Sequence, residues 1–185
     1  MVGIWDKPGF PHKGWSCIGV DDLGRAEGSC GMCGKEEVRY LHHMEHSNFE
    51  DTLSVGCVCA EKLEDDYVSL DGKSKAKKRE SSLKNAASRR TRWLTLRGWK
   101  KSKKGNVYVT KGSYIITVFS QYSGFKYVLN KQRENQWGTV QNVGDGYFSP
   151  RAYATLDEAK LAAFDALALH ELPEKLRPKS RRVEP

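Results

Sequence analysis

The chain has 185 residues, 38% of them hydrophobic, and carries 31 Lys or Arg against 23 Asp or Glu for a formal charge of +8. That apolar content supports a folded core, and the length suits one domain or two small modules. There is no run of about eighteen apolar residues to make a membrane-spanning helix, and "MVGIWDKPGFPHKGW" lacks the apolar run of a secretory leader. The expected setting is the cytoplasm, with no membrane partner. Thiols stay reduced there, so clustered cysteines point to metal or catalysis rather than disulfides. The positive charge points to an anionic partner, nucleic acid first.

In chain order, Cys17 in "GWSCIGV" is expected to be a small buried thiol on a strand. Residues 29–63, "SCGMCGKEEVRYLHHMEHSNFEDTLSVGCVCAEKL", then hold four of the five cysteines and three of the five histidines. Cys30 and Cys33 lie in a glycine-rich turn, "CGMCG", in which backbone amides can curl toward sulfur. Cys57 and Cys59 follow 23 residues later, a separation that suits a tetrahedral Zn²⁺ shell. The expected ligands are Cys30, Cys33, Cys57 and Cys59. The CxC pair is the weak point, so a shell of Cys30, Cys33, Cys59 and one of His42, His43 or His46 is the alternative. A thioredoxin-like dithiol does not fit, because glycines flank CxxC and a β-type segment follows it. The expected order is a knuckle, a β-hairpin from about Glu37 to Val55, and a helix starting near Cys59.

Residues 73–104 contain fourteen Lys or Arg and one acid, Glu80, leaving 17 basic and 22 acidic residues for the rest of the chain. Rich in Lys, Arg, Ala and Leu and free of proline, this stretch is predicted as a helix over roughly 76–97. The phosphate-contact candidates are Lys77, Lys78, Arg79, Arg89, Arg90, Arg92, Lys100, Lys101, Lys103 and Lys104. Trp93 and Trp99 are read as packing residues rather than base-stacking ones.

From Asn106 the segments "NVYVT", "SYIITVF" and "FKYVLN" read as a small antiparallel sheet of three or four strands, ahead of "GDGYFSPRAY". A helix follows over "TLDEAKLAAFDALALHEL", with Thr155 as its N-cap and Leu156, Ala159, Ala163, Phe164 and Leu167 at core spacing. One sheet face is expected to stay open, with Tyr114, Tyr122, Phe125 or Tyr127 available to single strands or RNA loops. The fold class is α+β. The divisions are a treble-clef-like zinc module at 1–70, a basic helical connector at 71–104, a sheet-plus-helix module at 105–172, and a basic tail at 173–185.

The string formed by "CGMCG", "RYLHHMEH" and "VGCVCA" resembles that of small bacterial zinc-finger proteins of treble-clef type. The likeness continues through "SKAKKRE", "RWLT", "KKGN" and "YATLDEAKLAAFDAL", and it implies an architecture and a bacterial source more than an activity. The strand-strand-strand-helix order is loosely similar to integrase arm-type DNA-binding modules. HNH-type nucleases also resemble the first region, which would make His42 or His43 a water-activating base. The helix-borne metal ligand of that family has no counterpart in "CVCAEKLEDDY". The leading expectation is a zinc-stabilised, non-catalytic protein that binds DNA or RNA. Behind it stand an HNH-like nuclease and a protein-binding adaptor or inhibitor.

Overall fold

A computed structural model describes residues 3–68 and 72–179. Strands β1 (Ser16–Asp22), β2 (Tyr40–His46) and β3 (Phe49–Val55) form an antiparallel sheet in that order. The expected hairpin is the β2–β3 pair, and β1 adds a third strand that carries the buried Cys17. Helix α1 (Cys57–Leu63) begins two residues earlier than Cys59. Helix α2 (Lys75–Arg90) is capped by Ser74, whose Oγ accepts from the Lys77 amide at 3.2 Å. It buries Ala76, Arg79, Leu83 and Ala86, one stripe at helical spacing. The basic segment therefore lies against the core and is not a free connector.

The predicted helix of 76–97 stops at Arg90, and tight turns carry the chain through Trp93 and Trp99. Trp93 Nε1 donates to the Lys160 carbonyl at 2.7 Å, and Trp99 Nε1 donates to the Trp93 carbonyl at 2.9 Å. The two rings meet edge to face at 5.5 Å, with Trp93 also 5.2 Å from Phe164. They pack the turn onto the next helix, as the sequence suggests.

Five strands, not three or four, follow as a meander: β4 (Lys100–Lys101), β5 (Val107–Lys111), β6 (Tyr114–Gln121), β7 (Gly124–Glu134) and β8 (Val140–Phe148). The glycines of "GDGYF" are strand residues beside a β-bulge between Leu129 and Lys131. Gly146 is required there, since a Cβ would sit 2.4 Å from Asn130 Oδ1. Helix α3 (Leu156–His170) opens with a reciprocal capping box between Thr155 and Glu158. Its alanines are buried nearly all round because α3 touches α2, β1 and the five-stranded sheet.

Val109, Ile116, Val118, Tyr127, Leu129 and Tyr147 form the inner face of that sheet. Period-two alternation sends Tyr108, Ile115, Thr117, Phe119, Val128 and Phe148 to the other face, which no helix covers among the described residues. The open face thus carries Tyr108, Phe119 and Phe148. Tyr114, Phe125 and Tyr127 have the opposite parity and point inward, while Tyr122 sits on the exposed β6–β7 turn.

Buried ion pairs join the parts. Asp21 on β1 accepts from Arg151 Nη2 at 2.9 Å and from the Tyr153 hydroxyl at 3.1 Å. Asp165 on α3, 1% exposed, accepts from Arg90 Nε at 2.8 Å, and Arg90 Nη2 also donates to the Asp22 carbonyl at 2.7 Å. The 70/71 division and residues 180–185 of the basic tail lie outside the described residues. No described helix is long and apolar enough to cross a membrane.

Candidate metal centre

The knuckle forms as its glycines require. The Gly34 amide donates to the Cys30 carbonyl at 2.8 Å with Gly34 at φ 74°, and the Gly31 amide reaches the Ser54 carbonyl at 2.9 Å. Gly31 approaches β3 so closely that a Cβ would lie 2.8 Å from Leu53 Cδ1. These contacts bring Cys30, Cys33 and Cys59 together with their sulfurs within 4.8 Å of one another, a group that could hold a metal ion. The Cys59 thiol donates to the Cys30 sulfur, and the amides of Cys33, Gly56 and Met32 also stabilise it, holding its pKa down to about 5 despite burial. That shift favours the thiolate, the form a metal binds. The contact with Cys30 and burial raise the pKa of Cys59.

The fourth expected ligand lies elsewhere. Cys57 and Cys59 are the first and third residues of α1, and positions two apart on a helix point about 200° apart. Cys59 turns toward the knuckle, whereas Cys57 turns toward His42 and Glu80, forming a second group within 4.8 Å. Burial and the carboxylates of Glu80 and Glu61 push the Cys57 thiol up to about 12. Among the described residues no further His, Cys, Asp or Glu joins the three-sulfur group. Glu80 escaped the sequence reading. Its signal was available, since it is the single acid among fourteen cations.

The other histidines have different roles. His43 is fully buried, with Nδ1 2.9 Å from Ser54 Oγ and Nε2 3.1 Å from Asp21 Oδ2. His46 Nδ1 accepts from the Asn48 amide, and its ring packs on Trp15 at 5.3 Å. Burial would lower the pKa of His42, but the neighbouring Cys17 and Glu80 raise it overall. Cys30, Cys33 and Cys59, together with Cys57 and Glu80 of the second group, line one cleft of about 730 Å³, with Lys35, Arg39 and Lys62 also in its wall.

The ten cationic candidates divide by burial. Arg79 is 3% exposed and forms a two-pronged pair with Glu64, at 2.9 and 3.2 Å, while its Nε donates to the Leu176 carbonyl. Arg79 and Arg90 are therefore corrected from phosphate contacts to internal fasteners, because desolvated guanidinium groups need fixed carboxylates. Arg89 lies 4.0 Å from Glu171, and Lys77 lies 3.9 Å from Glu61; both are exposed. Lys78 is half-buried with interactions of its own. Arg92, Lys100, Lys101, Lys103 and Lys104 are exposed, and none has an acidic partner within 4.0 Å among the described residues.

Compared with known proteins, the chain matches no family model, and no curated protein or solved structure matches it at a significant level.

Proposed function

We propose that this is a zinc-stabilised protein that binds DNA or RNA chiefly through backbone phosphates and has no catalytic role in doing so. The observation that carries this reading is the unpaired charge of Arg92, Lys100, Lys101, Lys103 and Lys104. Four of these five cations sit on β4 and the turn after it, at the edge of the five-stranded sheet. Cations without intramolecular acids are free to replace the counterions around phosphates. Lys100 pairs in register with Tyr108, which begins a cross-strand row running through Thr117 and Val128 to Phe148 on the open face. That row supports single-stranded targets, whose bases can stack on the half-buried Tyr108 ring beside the charged edge and on the exposed Phe148 ring. Zn²⁺ is the metal favoured by a set of three thiolates, and its part is to brace the knuckle against β3 and α1.

Anisotropy titrations with fluorescent single strands and duplexes of both nucleic acids provide the test. The expected result is binding at low salt that weakens as salt rises. Replacing Lys100, Lys101, Lys103 and Lys104 with Ser lowers the log–log salt slope for a single strand by up to about 3. No binding to any of the four probes at low salt, or an unchanged slope in the variant, overturns the proposal. In parallel, a chelator is expected to lower the thermal midpoint and zinc to restore it.

A further inference from the structure

We propose that His42, Cys57 and Glu80 form a second metal site, separate from the three-sulfur group and suited to a borderline transition-metal dication such as Zn²⁺ or Co²⁺.

Three elements converge on it. β2 contributes a fully buried imidazole, the first residue of α1 a half-buried thiol, and α2 a carboxylate whose side chain is 24% exposed. One ligand atom from each lies within 4.8 Å of the others. The 3.2 Å between His42 Nε2 and Glu80 Oε1 is close to the edge, roughly 3.4 Å, of a tetrahedron with zinc–ligand bonds of about 2.1 Å. That pair already stands near the spacing an ion would require.

The imidazole is oriented for this role. His42 Nε2 faces Glu80, while Nδ1 is buried without a hydrogen-bond partner. The Nε2 that meets Glu80 at 3.2 Å is the nitrogen that a cation seated between the two would take as its donor. Sulfur, imidazole nitrogen and carboxylate oxygen together favour zinc-like dications over Mg²⁺ or Ca²⁺, which prefer all-oxygen shells. The position of Glu80 has no explanation in phosphate binding. A carboxylate there weakens the local positive field, yet it faces a thiol and an imidazole that a cation would join to it.

The site is also reachable. Cys57 and Glu80 line the 730 Å³ cleft, and three protein ligands leave a fourth position toward it for water or an entering donor.

Cobalt titration of the full chain under anaerobic conditions, followed by its visible spectrum and by bound-metal analysis, tests the assignment. The wild type should take two equivalents. Glu80→Gln, which preserves size, and Cys57→Ser should each take one, retaining the intense thiolate-to-cobalt absorption of the three-sulfur group. Cys59→Ser should lose that absorption and keep the weaker spectrum of the second site. One equivalent in the wild type overturns the proposal, as does a second equivalent that persists in both Glu80→Gln and Cys57→Ser. Complete loss of cobalt in a folded Cys57→Ser overturns it as well, by placing Cys57 in the first shell with the other three cysteines. Circular dichroism establishes folding, and if Cys57→Ser does not fold, Glu80→Gln decides the question.

Discussion

The two sheets use their faces in opposite ways. The three-stranded sheet is closed on both sides: His42 on β2 faces α1 and α2, and His43 faces Asp21 and the Arg151–Tyr153 segment. Polar residues trapped there are either paired or gathered into candidate metal ligands, since an unpaired buried charge is costly. The five-stranded sheet closes one face on α3 and leaves the other to solvent, with lysines at the β4 edge and Tyr108, Phe119 and Phe148 on the open face. Burial in the first sheet thus gathers fastened ion pairs and candidate metal ligands, while the second sheet keeps one face open to solvent.

The most damaging change expected is on the closed side. Arg79→Met leaves Glu64 desolvated and alone, at a cost of about 3–5 kcal/mol, and adding Glu64→Leu should recover most of it. Urea unfolding of the single and double variants measures this. If the single variant matches the wild type, the pair is not the fastener described.

A smaller effect is expected from acid at the inner edge of the second sheet. His170 packs against the Tyr147 ring at 4.6 Å, and burial, with Arg177 adding, pushes its pKa down to about 4. The unfolded chain takes up this proton near pH 6.5, so between about 6.5 and 4 the unfolded state binds more protons than the folded state. The stabilisation is full above that window and falls as the pH drops through it, by up to about 3 kcal/mol. Wild type should therefore lose more stability than His170→Gln between about pH 7 and 4.5, and parallel curves would refute the assignment.

The open face should be nearly silent. Phe148→Ser is expected within about 0.5 kcal/mol of wild type, whereas Ile116→Ala on the opposite face should cost about 2–5 kcal/mol. Similar losses from both would mean that the outer face is covered. A Phe148 variant that is stable yet weaker in single-strand binding would sharpen the contrast between the sheets.

Much of the fold was legible because local chemistry set it. Thr155 with Glu158, the alanine-rich period of α3, the hairpin before Cys57 and the glycine knuckle all act over a few residues. β8 was missed because its glycines serve a bulge formed only when β7 lies beside it. The open aromatic face was assigned with the wrong parity because neighbouring residues on a strand point to opposite sides, and only packing against α3 selects the buried side.

The sequence by itself determined the α+β class, the knuckle cysteines and the concentration of charge in residues 73–104, since composition and short-range spacing carry these directly. Only the tertiary structure decided that Cys59 joins the knuckle while Cys57 turns to His42 and Glu80, because the helical turn between them sends their sulfurs in opposite directions. It also decided which cations are fasteners and which are free. Arg79 and Lys103 are both basic residues of one segment, but one faces a buried carboxylate and the other faces water.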